Sequence, residues 1–219
     1  MAIKLLNLLR TRGIRATAGF IGTRLFRVET HLVFCNDDQS HTLDVEWSQG
    51  ISIVEAASSS DLAKLDRYKA ALPASAGEYV DAIRVGQAIG LFVFADGQLA
   101  HWSFLLKQTR TLCYLGFCGR NAALLAAMFT VPSFRGQGLQ TRAVVHLTNL
   151  AHRSGNKTVV AETSPDNEAS ARAMKSGGMQ SNGTLHFAVI CNYLVVRWKQ
   201  STPHRFSIGF CGSASPRSV

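Results

Sequence analysis

The chain has 219 residues, 47% of them hydrophobic and 17% charged, and 23 Lys+Arg against 14 Asp+Glu leave a formal net charge of +9. That much apolar material supplies a folded core and excludes disorder along the whole chain, while no stretch reaches the roughly 18 to 20 uninterrupted apolar residues of a spanning helix. The charge is uneven: residues 1–28 and 169–219 each carry six bases and no acid, whereas 29–168 sets 11 bases against 14 acids for a net of −3. The basicity belongs to the ends, so a nucleic-acid partner is not expected, and a local patch for phosphates or anionic lipid remains open.

Residues 1–28 read as a basic amphipathic helix or pair of helices, with Leu5, Leu6, Leu8, Leu9, Phe20, Ile21, Leu25 and Phe26 as the apolar side. The segment either packs those leucines on the domain or lies in a membrane interface as a peripheral contact. Its opening run is broken by Asn7, stops at Arg10 and lacks a small-residue cleavage site, so export is not expected and a cytoplasmic location is. The five cysteines (Cys35, Cys113, Cys118, Cys191, Cys211) are scattered with no CxxC pair, the usage of reduced thiols without a zinc site or disulfide framework.

Residues 31–34 and 41–47 flank a polar loop in the pattern of a hairpin. Ile51 to Ala56 reads as a strand, the Ser58 to Asp61 run caps a helix through about Ala71, and a second helical stretch after Pro73 holds Tyr79, Ile83, Val85 and Ile89. Leu91 to Ala95 and Leu99 to Leu106 form a hairpin across Asp96-Gly97. Ala122 to Val131 is apolar without alternation, as in a strand buried on both faces, and a helix follows from Gly138 to about Arg153. Strand Thr158 to Thr163, a helix Asn167 to Ser176 and strands near 185–190 and 193–198 complete the ordered part, and the last 20 residues, rich in Ser, Gly and Pro, read as a loose tail.

The informative segment is VPSFRGQGLQTRAV, 131–144. A buried strand ends at Pro132, a short glycine turn follows, and a helix begins at once, which leaves unpaired N–H groups at a helix N-terminus where the dipole also favours an anion. This is a phosphate cradle. No Gly-Lys-Ser/Thr follows, which excludes a nucleoside-triphosphate loop, and no third glycine completes a dinucleotide fingerprint.

The segment resembles the pyrophosphate loop of the GNAT superfamily of acyl-CoA-dependent N-acetyltransferases, Arg/Gln-x-x-Gly-x-Gly/Ala: Arg135 and Gly138 match, and Gln140 replaces the last small residue. The family's second signature matches at Asn167, Ser170, Gly178 and Met179. The resemblance covers about Ile51 to Trp198. It implies an α/β layered fold with a mixed, mostly antiparallel central sheet, helices on both faces, and a fourth and fifth strand splayed to admit pantetheine. The domain organisation expected is a basic helix and hairpin extension (1–50), the acyltransferase domain (51–198) and the tail (199–219).

The resemblance implies acetyl-CoA as co-substrate, with no metal. Main-chain groups of Phe129 and Val131 are expected to pair with the pantetheine amides. The N–H groups around Arg135, Gly136, Gln137, Gly138 and Gln140, with the Thr141 hydroxyl, are expected to hold the pyrophosphate. Asn167 and Ser170 are expected to contact the distal part of the coenzyme, although a plain N-cap role competes at Asn167.

The implied chemistry is direct attack of a neutral amine on the thioester, which needs a base, an oxyanion donor and an acid for the thiolate. The tyrosine that many members place seven residues after the asparagine is Met174 here, so the acid is expected to be Ser170 or water. The fourth strand offers no carboxylate, which makes Glu162 on the fifth strand the first candidate base, ahead of His101 and Tyr114. His146 and His152 are six apart, off the i, i+4 spacing of a helical metal pair, and no nucleophilic triad is spaced. The acceptor expected is a primary amine, on a small molecule or an envelope precursor. The alternatives are a protein N-terminus or lysine, and a non-catalytic acyl-CoA-binding module.

Overall fold

A computed structural model describes residues 26–38, 44–65, 72, 76–107, 115, 118, 121–190, 193–201 and 206–213. The strands are β1 (Phe26–Asn36), β2 (Ile51–Ala56), β3 (Ala88–Ala95), β4 (Gln98–Lys107), β5 (Ala122–Thr130), β6 (Thr158–Thr163), β7 (Gln180–Ile190), β8 (Tyr193–Lys199) and β9 (Phe206–Ser213). The helices are α1 (Ser59–Ala63), α2 (Gly77–Arg84), α3 (Leu139–Arg153) and α4 (Glu168–Ser176). All nine strands share one sheet in the order β2-β3-β4-β5-β6-β1-β7-β8-β9. Among the described residues only β5 and β6 run parallel, as a crossover through α3 requires, and every other neighbour is antiparallel. The fold is the mixed, mostly antiparallel α/β architecture that the resemblance implies.

Strand alternation sends two apolar sets to opposite faces. Leu91, Val93, Leu105, Ala123, Leu125, Val159 and Ala161 meet Ala143, Val144, Leu147 and Ala151 of α3 and Met174 of α4. On the other face Phe92, Phe94, Trp102 and Phe104 carry Leu62 of α1 and Ile83 of α2. Farther along that face Val33, Leu124, Val160, Leu185, Phe187 and Trp198 bury Leu115. At about 1.5 to 3 kcal/mol for each large side chain buried, these layers hold the sheet between its helices.

Five expectations change. The helix capped by Ser58 stops at Ala63 with Lys64 as C-cap, short of Ala71. The hairpin is not formed: β1 lies in the middle of the sheet between β6 and β7, and residues 44–48 form no strand. The N-terminal helix lies outside the described residues through 25, and 26–28 open β1. The second helical stretch stops at Arg84 with Val85 as C-cap, so Ile89 belongs to β3, where it pairs with Leu105. The tail contributes β9 in register with β8, from Tyr193↔Ser213 to Lys199↔Phe206. Of the cysteines, Cys35 and Cys118 are free thiols.

Candidate active site

The site begins where two parallel strands part. Pairing of β5 with β6 runs from Ala122↔Thr158 to Leu125↔Ala161 and then stops. Beyond it β5 stays on β4 (Trp102↔Phe129, His101↔Thr130), while β6 stays on β1 (Val33↔Glu162, Leu32↔Thr163). A bulge marks the divergence: Phe104 faces Ala126 but Trp102 faces Phe129, which leaves one extra residue on β5, and Ala127 sits at φ +47°. The burial of β5 changes at the same point, from four buried residues to an alternation of half-buried and exposed ones. The strand expected to be buried on both faces is therefore buried only as far as Leu125.

The bulge decides which main-chain groups face the crevice. The Val131 N–H donates to the Ala100 carbonyl at 2.9 Å and its carbonyl accepts from Phe134 N–H at 2.9 Å, so both of its main-chain groups have partners within the chain. Antiparallel alternation then turns the main chain of Phe129 toward Trp102 as well, leaving Met128 and Thr130 to face the gap. Phe129 instead offers its ring, 40% exposed and stacked on Trp102 at 4.6 Å. The Arg135 guanidinium lies 5.7 Å from that ring's centroid, and its Nε donates to the Thr130 carbonyl at 3.2 Å.

Past β5, a 3-10 turn (Pro132–Phe134) leads into Arg135, Gly136, Gln137 and Gly138. Gly136 and Gly138 both have positive φ, +79° and +72°, and Gly138 is the N-cap of α3 with no side-chain cap. That left-handed pair folds the loop back over the helix end. The helix starts with Arg142 N–H on the Gly138 carbonyl, and the Arg142 Nη1 donates to the Gln137 carbonyl at 2.8 Å. The N–H groups of residues 136–141 donate to no acceptor among the described residues. Six consecutive N–H groups thus lie at a helix N-terminus, where the dipole favours an anion.

The two sequence signatures meet here. Gln140 Nε2 donates to Ser170 Oγ at 3.0 Å, and the Ser170 N–H donates to Asn167 Oδ1 at 3.1 Å. Asn167 is thus the N-cap of α4, and the off-pattern Gln140 fastens the start of α3 to the start of α4. That link is invisible in the sequence, because it joins residues 30 apart. Met174, at the tyrosine's position, is wholly buried in the core between sheet and helices.

Glu162 is the first residue of β6 beyond the last β5 pair, on the face away from α3. Its Oε2 lies 3.4 Å from His31 Nδ1 on β1. Tyr79 of α2 stacks on Phe104 at 4.9 Å, and burial raises its hydroxyl pKa, with the charges of Glu78 and Glu162 adding to the effect. His101 is fully buried with Nδ1 2.8 Å from Thr130 Oγ1, and burial pushes its pKa down to about 3. It lies in register with Val93 of β3 and Thr130 of β5, on the α3 face of the sheet. Tyr114 lies outside the described residues. His146 contacts Glu55 at 2.7 Å, and His152 contacts Asn36 at 2.8 Å. Among the described residues no group of three or more His, Cys, Asp or Glu is placed to hold a metal.

The chain is similar in fold to several solved structures. A GNAT-family protein from Novosphingobium aromaticivorans aligns at 17% identity over 73% of this chain and 63% of its own, with a TM-score of 0.50. A Drosophila protein aligns at 14% identity over 84% and 58%, TM-score 0.54. A GCN5-related N-acetyltransferase from Sphaerobacter thermophilus aligns at 11% over 79% and 55%, TM-score 0.50. The chain spans about 55 to 63% of the length of these structures. No curated protein sequence matches it. The family model described as acetyltransferase (GNAT) domain matches residues 54–180, more than half of the chain, and the chain belongs to that family.

Proposed function

We propose that this protein transfers an acetyl group from acetyl-CoA to a primary amine by direct attack. The observation that carries the reading is the divergence of β5 from β6, with the N–H cradle at one end and Glu162 on the far face. In this reading the pyrophosphate lies on the N–H groups of residues 136–141, assisted by the Thr141 hydroxyl and by Arg135. Pantetheine enters between the strands against the main chain of Met128 and Thr130, with the Phe129 ring at its side. Asn167 and Ser170 act chiefly by holding α4 against the cradle.

The amine approaches from the face of Glu162, which takes the ammonium proton so that the nitrogen lone pair can attack the thioester carbon. A crevice-facing N–H of β5 stabilises the oxyanion, and the departing thiolate takes a proton from water or from Ser170. The acceptor favoured is a small molecule or an envelope precursor, with a protein N-terminus or lysine as the enzymatic rival. Peripheral membrane contact through residues 1–28 belongs to the same proposal.

A second reading, a module that binds acyl-CoA without efficient catalysis, is favoured by Met174, which puts an apolar core residue at the usual acid's position. Thiol release from acetyl-CoA with a panel of primary amines separates the two. The enzyme reading expects thiol release that depends on the amine and saturates; saturable CoA binding with no such release supports the module.

A further inference from the structure

The insertion of β1 beside β6 brings a histidine to the candidate base. Glu29 and His31 are two residues apart on β1 and share a face, and the register Val33↔Glu162 makes Glu162 the diagonal neighbour of His31. The contacts follow from that placement. His31 Nδ1 is 3.4 Å from Glu162 Oε2, and Nε2 is 3.7 Å from Glu29 Oε2. Phe187 of β7 meets the ring edge-on at 5.2 Å and fixes its plane. The imidazole therefore lies between two carboxylates, with the side chain 25% exposed.

We propose that His31 is a positioning residue for Glu162, orienting its carboxylate toward the crevice and taking over the proton that Glu162 removes from the acceptor amine. The inference rests on the acetyl-transfer reading given above. A carboxylic acid left at the crevice after one turnover cannot serve as base for the next. In the relay the ammonium N–H bond breaks as the Glu162 O–H bond forms. That O–H bond then breaks as Nδ1–H forms, and once the product has left the crevice the proton returns from Nδ1 through Glu162 to water there, which restores the starting tautomer. Once Glu162 has taken the proton, Glu29 is the carboxylate anion left beside the ring, and facing Nε2 it favours the hydrogen there and leaves the Nδ1 lone pair toward Glu162.

Among the described residues, Leu185 and Phe187 face His31 from β7, and neither titrates. Tyr79 of α2, which senses the Glu162 charge, keeps its proton because burial raises its pKa. His186 of β7 lies on the other face, 3.0 Å from Thr30 Oγ1.

The test uses the full chain with the substitutions H31Q, E29Q and E162Q. Ring resonances of His31 followed by NMR against pH should show the titration midpoint falling by about half a pH unit or more in E29Q and in E162Q, since each loses an anion beside the ring. An unchanged midpoint in E162Q overturns the pairing. With acetyl-CoA and the amine of the panel that releases most thiol, H31Q should lower kcat about tenfold and erase the limb of the pH profile that reports loss of the imidazole proton. It should leave the KM for acetyl-CoA unchanged. A retained limb and kcat in folded H31Q overturn the relay alone, whereas no thiol release with any amine overturns the acetyl-transfer reading and the relay together.

Discussion

His101 shows how much a single burial decides. Its ring is 0% exposed, its Nδ1 is tied to Thr130 Oγ1, and its pKa of about 3 lies well below the roughly 6.5 of an exposed imidazole. The folded protein refuses a proton that the unfolded chain accepts below about pH 6.5. Stability is therefore complete above that pH and is lost as pH falls toward 3, at up to about 1.4 kcal/mol for each pH unit. Urea unfolding at pH 7.5 and pH 5 should show H101Q losing about 2 kcal/mol less than the wild type over that interval. Equal losses in the two proteins would contradict a neutral buried ring. The sequence marked His101 as a base candidate, because a histidine on a strand carries no sign of which face it occupies; β4 turns it to the α3 face beside Val93, opposite to the face of Glu162.

At the scale of elements, what was legible was local. The glycine turn at 135–138, β6 and α4 each announce themselves within about a dozen residues, through paired glycines, an apolar run or an asparagine cap, and all three form where expected. The placement of β1 was not legible, since it depends on partners more than 120 residues away and its face away from α3 carries Glu29 and His31 in place of apolar residues. The register of the bulge at Ala127 was hidden for the same reason, and it moved the crevice-facing main chain from Phe129 and Val131 to Met128 and Thr130. A second bulge fixes β7 against β1 and β8. Between Leu32↔Thr184 and Phe34↔Ser181 the chain carries Asn182, whose carbonyl accepts the Trp198 Nε1–H at 3.0 Å, and Gly183 at φ +88°. A Cβ on Gly183 would come within 1.9 Å of the Lys199 carbonyl oxygen. Gly183→Ala should cost at least about 2 kcal/mol in urea unfolding, from the left-handed backbone and the displaced strand together. A change below about 0.5 kcal/mol would mean that β8 does not pack there.

For the whole molecule, the net charge of +9 turns out to say little about coenzyme binding. The segment 29–168, which holds the loop and the crevice, has more acids than bases, and the groups proposed to take the pyrophosphate are backbone N–H groups at the start of α3. No helix among the described residues is long and apolar enough to cross a membrane, and the basic first 25 residues lie outside that set. The central claim is that the cradle at Gly138 takes the pyrophosphate of CoA. Calorimetric titration of CoA into wild type, Gly138→Asn and Gly138→Asp tests it directly. Both side chains tolerate the left-handed backbone and both have room, since the nearest atom to an added Cβ is the flexible Arg142 Nη1 at 3.8 Å. The account predicts binding within a few-fold of wild type for the asparagine and a loss of about 100-fold or more for the aspartate, whose charge opposes the phosphates. A folded Gly138→Asp protein that binds CoA as tightly as wild type would contradict it.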